Sequence, residues 1–123
     1  MKSTIATAVA LYLVTSAAIA QVPGFPVEST TPSADEIRAH VVDKKFSALR
    51  QDGRGLRYEY KSDGTFHVMM GSFTERGTWV AEPGRICVND PKNGEACNEV
   101  RMYNGSILYR RNSNGEVYEL KPQ

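Results

Sequence analysis

The sequence predicts a mainly β protein: a small antiparallel up-and-down barrel or strongly curved meander sheet, with one N-terminal helix. Three observations carry that expectation. After Lys45 apolar residues recur at every second position, as where Leu56, Tyr58 and Tyr60 alternate with Arg57, Glu59 and Lys61, the period of a half-buried strand. Turn dipeptides then separate the runs at short intervals, Asp63-Gly64, Pro83-Gly84 and Asn104-Gly105, each suited to reversing the chain between neighbouring strands. Convincing helical spacing is confined to Ala34–Asp43. A barrel is preferred over an open sheet because closure leaves no unpaired edge.

The N-terminus is set apart from this pattern. Met1-Lys2-Ser3-Thr4 is a short basic start, and Ile5 to Ala20 is apolar and small except for Thr7, Thr15 and Ser16. The run closes on Ala18-Ile19-Ala20, small residues placed where a signal peptidase cuts. We therefore expect residues 1–20 to be a Sec-type signal peptide cleaved between Ala20 and Gln21, with a periplasmic or secreted product. The residue directly after the junction is Gln21 and not a cysteine, so no lipid anchor is expected. No later apolar stretch reaches the roughly 18–20 residues needed to span a bilayer, so no transmembrane segment is expected in the mature chain. Lys2 is the one charged residue before Gln21, and its removal takes the formal charge from +1 to zero. A neutral chain has no bulk attraction for nucleic acid, and no nucleic-acid partner is expected.

Residues 21–32 contain Pro23, Gly24, Pro26 and Pro32. Proline removes donors and fixes φ, so an extended leader outside the core is expected there, ahead of a single β-rich domain over 33–123. Ser33-Ala34-Asp35-Glu36 is a capping box, in which the Ser hydroxyl accepts from the third helical N–H and the Glu side chain reaches back. The acidic residues also suit the positive end of the helix dipole. Ile37 and Val41, four apart, define its buried face, and the helix is expected over Ala34–Asp43.

Strands follow. Lys45–Arg50 is a candidate first strand, and Leu56–Lys61 the next. Asp63-Gly64 turns the chain into Thr65–Gly71, with Phe66, Val68 and Met70 on one face. Gly77–Glu82, Arg85–Asn89, Cys97–Tyr103, Ser106–Arg111 and Glu116–Lys121 complete seven or eight strands. Cys87 and Cys97 are the only cysteines, and an even pair in an oxidising compartment reads as one disulfide. The intervening segment, Val88 to Ala96, is polar and turn-rich. Closing a loop of that size is worth roughly 2–3 kcal/mol in the chain-entropy picture.

The rhythm Ser62-Asp63-Gly64-Thr65-Phe66, then Gly77-Thr78-Trp79, then Arg85-Ile86-Cys87-Val88 and Cys97 resembles small exported bacterial proteins of unknown function with a D-G-T-F, G-x-W, C…C β core. It is also distantly similar to lipocalin-type calycin barrels, although their G-x-W opens the first strand and this one lies mid-chain. The resemblance covers roughly Ser33 to Lys121. Asp63, Gly64, Gly77 and Trp79 are its structural positions, and it implies a fold and an export route without an activity. A shorter likeness, Thr31-Pro32-Ser33-Ala34-Asp35-Glu36-Ile37, looks like the P-S-A-x-E-L entry of periplasmic inhibitors of secreted metalloproteases. That likeness implies that the leader is inserted into a protease cleft.

Residues able to carry chemistry are sparse. His40 and His67 are the only histidines, and no G-x-S-x-G, H-E-x-x-H, P-loop or dinucleotide motif occurs. A non-enzymatic protein without a cofactor is expected. His67, Met69 and Trp79 are candidate copper ligands, since imidazole and thioether suit copper and an indole face adds a cation–π contact. Against that, Phe66, Val68 and Met70 pointing inward turn His67 and Met69 outward, so no metal is expected. Aromatic residues (Tyr58, Tyr60, Phe66, Phe73, Trp79, Tyr103, Tyr109, Tyr118) accompany Arg57, Arg101, Arg110 and Arg111, a composition that could stack bases but that a neutral exported chain uses as a half-wet sheet. Of Arg110 and Arg111 at most one can face inward. The expected function is binding of an unidentified protein or small ligand in the cell envelope, with leader-mediated protease inhibition as the alternative. A small-ligand carrier requires a hollow barrel lined by the Tyr and Phe positions.

Overall fold

The computed structural model describes residues 24–123, so the expected signal peptide and the Ala20–Gln21 junction lie outside the described residues. Helix α1 spans Ala34–Val41. It is followed by eight strands, β1 (Lys44–Leu49), β2 (Gly55–Tyr60), β3 (Thr65–Met70), β4 (Phe73–Glu82), β5 (Arg85–Asp90), β6 (Gly94–Tyr103), β7 (Ser106–Arg110) and β8 (Val117–Pro122). They form a closed antiparallel barrel in chain order, with β8 returning to β1. The last seam is short, pairing Phe46 with Pro122 and Ser47 with Lys121. Among the described residues, no helix is long and apolar enough to cross a membrane.

The helix begins where its capping box dictates. The Ser33 hydroxyl accepts from the Glu36 N–H at 3.1 Å, and the Glu36 carboxylate accepts from the Ser33 N–H at 3.3 Å. It ends two residues before the expected Asp43, because Val42 turns extended and Asp43 takes a left-handed φ of 57°. The Asp43 N–H then bonds the Tyr60 carbonyl at 2.7 Å, fixing the helix to β2. Ile37 and Val41 are fully buried in one core with Phe46, Ile86, Ile107 and Leu120. One end of the barrel is thus solid.

Two strands are longer than periodicity indicated. β4 starts at Phe73 rather than Gly77, and β6 at Gly94 rather than Cys97. The segment between the cysteines is accordingly a hairpin and not an open loop, with pairing continuing from Cys87↔Cys97 out to Asp90↔Gly94. Polar outward residues such as Asn89 and Glu95 hide the alternation there, while the inward residues are Val88, Asp90, Gly94 and Ala96. The disulfide joins directly opposed residues of this hairpin.

The described part of the leader is docked on the barrel. Thr30 bridges to Met102 through a reciprocal pair of backbone bonds, and the Pro32 carbonyl accepts from the Gly84 N–H at 2.8 Å. Phe25 is buried beneath the Arg101 guanidinium, 5.3 Å from its ring centroid, and Pro32 is buried as well. Proline excludes this segment from a regular ladder, yet leaves its side chains free to pack.

Candidate functional site

The barrel end opposite α1 is open. A cavity of about 500 Å³ occupies it, with Leu56, Phe66, Val68, Met70, Val88 and Ala96 on its walls. Its existence follows from the inward side chains. Towards the helix these are large (Phe46, Tyr60, Trp79, Ile86, Ile107 and Leu120), whereas at the open end they shrink to Val68, Val88, Ala96 and Asn98. A volume in this range, apolar-walled with a few polar groups, is what small-molecule sites share.

The floor is a tyrosine cluster. Tyr109 and Tyr118 stack at 5.4 Å, Tyr58 lies tilted 5.5 Å from Tyr109, and Tyr60 stands edge-on to Trp79 at 5.3 Å. The Tyr58 and Tyr118 hydroxyls are hydrogen-bonded to each other. The Tyr60 hydroxyl, on a residue only 1% exposed, has no partner among the described residues. An unpaired buried hydroxyl costs about 1–3 kcal/mol. Burial, then the neighbouring phenols, holds Tyr58, Tyr60 and Tyr109 well above the ordinary tyrosine range. Burial pushes Tyr118 up to about 12, against the pull of its bond with Tyr58 and of Arg111. All four are therefore neutral hydroxyls at any physiological pH.

Charged groups ring the mouth on two sides. Asp90, 6% exposed, accepts from the Lys92 N–H at 2.7 Å and from the Asn93 side-chain amide at 3.2 Å. Glu75 accepts from the same amide at 3.3 Å. Across the barrel, Arg50 Nε lies 3.8 Å from Glu116 and 3.9 Å from Asp52. Arg111 also lines the cavity, and its side chain forms no ion pair among the described residues. Asn98 Oδ1 accepts the Asn112 N–H at 3.0 Å, which fixes the turn carrying Arg111.

The residues singled out from sequence are placed as follows. Asp63 Oδ1 accepts from the Thr65 hydroxyl at 2.6 Å and the Thr65 N–H at 2.9 Å, and these bonds hold its carboxyl below the usual range. Gly64 supplies the turn's positive φ of 86°, and its carbonyl accepts from the Trp79 N–H at 2.9 Å. Trp79 Nε1 donates to the Lys61 carbonyl at 2.9 Å. The D-G-T-F and G-x-W stretches are thus two halves of one corner. His67 and Met69 lie two apart on β3, opposite Glu59 and Arg57 of β2, while the Trp79 ring is buried against Tyr60 inside. The candidate copper trio is therefore split by the barrel wall, because Trp79 shares the inward face of its strand. The one cluster of metal-ligating side chains among the described residues is Glu82, Cys87 and Cys97. Its sulfurs are already joined to each other, with Glu82 Oε2 at 3.1 Å from Cys87 Sγ.

Arg50, Glu75, Asp90 and Asn98 were not distinguishable as site residues by pattern. They are mouth residues only because the strand ends carrying them meet around one opening. Arg111 had a signal, since just one of the Arg110-Arg111 pair can face inward. Comparisons of the chain with protein-family models, with curated proteins and with solved structures find no match.

Proposed function

We propose that this chain is a non-enzymatic binding protein of the cell envelope, exported by its N-terminal segment, that takes a small, partly apolar ligand in the open half of its barrel. The observation that carries this reading is the cavity of about 500 Å³, walled by Phe66, Val68 and Met70 and floored by protonated tyrosines. The Cys87–Cys97 disulfide supports an oxidising compartment. Neither His40 nor His67 lines the cavity. Leader-mediated protease inhibition would first require residues 24–32 to leave the barrel, breaking the Thr30–Met102 bridge and uncovering Phe25.

The test uses N-phenyl-1-naphthylamine, a neutral apolar fluorophore, titrated into the exported protein, with native mass spectrometry of the same preparation. Saturable enhancement at one probe per chain, or a co-purified small molecule, is the expected result. Unsaturable, weak enhancement together with a bare protein mass would sink the reading.

A further inference from the structure

We infer that the ligand of this cavity is an amphipathic anion, whose carboxylate or sulfonate group seats on Arg111 beside Tyr58 and Tyr109 while its apolar body lies along β3. This rests on the cavity being the binding site and specifies what enters it.

The electrostatics of the mouth single out one position. Asp90 is hydrogen-bonded by the Lys92 N–H and the Asn93 amide, and Glu75 shares that amide, so both carboxylates are tied to the β5–β6 turn. Arg50 is flanked by Glu116 and Asp52. Arg111 lines the cavity with no carboxylate against it among the described residues. A half-buried guanidinium without a direct ion-pair partner gains from a charge-assisted bond to a planar or tetrahedral oxyanion.

The hydroxyls beside it complete the arrangement. Tyr58 and Tyr109 line the cavity with Arg111, and the Tyr58 hydroxyl, which shares one hydrogen bond with Tyr118, keeps capacity for a second. Phenols that stay protonated can donate to an anion, as a second layer behind the guanidinium. In the closed eight-stranded order β3 stands opposite β7. Val68 and Met70 therefore face the strand whose end bears Arg111, and a ligand spanning the opening meets charge on one side and apolar wall on the other. Phe73, 45% exposed at the same mouth, extends that wall outward.

The experiment compares two probes sharing one skeleton, neutral N-phenyl-1-naphthylamine and its anionic relative 8-anilinonaphthalene-1-sulfonate. The readout is the ratio of their dissociation constants on the full exported protein and on Arg111→Met. The expected result is a shift of the ratio by about tenfold against the sulfonate in the variant, the scale of one charge-assisted bond, with Arg111→Lys intermediate. Should Arg111→Met not fold, as judged by near-ultraviolet circular dichroism, the unmodified protein gives the same readout. Raising salt from about 0.05 M to about 0.5 M should then weaken the sulfonate selectively. Both probes binding, with a ratio indifferent to Arg111 and to salt, overturns the anion site and leaves the cavity reading intact. Neither probe binding overturns the cavity reading, and the anion site with it.

Discussion

The ring of Phe66 lies against the backbone of Gly77. A Cβ built at Gly77 would stand 2.8 Å from Phe66 Cε1 and 2.0 Å from the Asn89 carbonyl oxygen. Phe66 and Gly77 are register partners on β3 and β4, so the aromatic of the D-G-T-F stretch occupies the space that the glycine of G-x-W vacates. Gly77→Ala must push β5 away as well as the ring, and we expect a loss of about 2–3 kcal/mol or more. Gly64→Ala meets nothing within 4 Å but needs a φ of +86°, which costs an L-residue about 1 kcal/mol. Urea denaturation of the two variants should rank them in that order. Equal midpoints would show that Phe66 and β5 give way freely.

Tyrosine ionisation should be coupled to unfolding. Tyr58, Tyr60 and Tyr109 are held well above the ordinary range chiefly by burial, and Tyr118 is pushed up to about 12. A raised folded pKa means that the unfolded chain releases these protons first. The stability they confer is whole below about pH 10, the unfolded value, and is lost as pH rises towards and past 12. Absorbance at 295 nm should show the cluster's phenolates arriving together with loss of the circular dichroism signal. Four phenols titrating near pH 10 in an intact barrel would contradict the buried cluster.

Much of this fold is legible in the sequence, for identifiable reasons. The capping box at Ser33, the alternation of Leu56, Tyr58 and Tyr60, and the positive-φ turns at Gly64 and Asn104-Gly105 are local signals. Each falls where the structure uses it. The extensions of β4 to Phe73 and β6 to Gly94 are hidden, because alternation breaks at inward Glu75 on β4 and at inward Gly94 and Ala96 on β6. The same stretches border the cavity, so the site lies where alternation fails. Seating of the leader was illegible too: Phe25 is buried by Arg101, 76 positions away, and no local pattern encodes that pairing.

Filling the cavity should remove binding without harming the fold. Val68 lines the open half and packs on the core from one side only, so a larger apolar side chain has space to enter. Val68→Trp is expected to weaken N-phenyl-1-naphthylamine at least about tenfold. Burying more apolar surface should leave the thermal midpoint unchanged or raise it. Undiminished probe binding in a folded Val68→Trp would place the probe elsewhere, for example in the outer cleft bordered by Leu49, Met69 and Lys121.

The leader should contribute to stability rather than hang free. Phe25 is 8% exposed, with the Arg101 guanidinium over its ring, and Thr30 exchanges backbone bonds with Met102 at 2.9 and 2.8 Å. Phe25→Ala removes the burial and the cation–π contact together, which we place at about 1–3 kcal/mol. Arg101 retains bonds to the Gly84 and Val100 carbonyls at 3.3 and 2.7 Å, so its charge stays partnered and the loss should not spread through β6. A protein whose leader is an inserted inhibitory arm behaves oppositely: Phe25→Ala would leave the denaturation midpoint unmoved and would weaken inhibition of a secreted metalloprotease. Measuring both the urea midpoint and inhibition on that one variant separates a segment that closes the barrel wall from one that is meant to leave it.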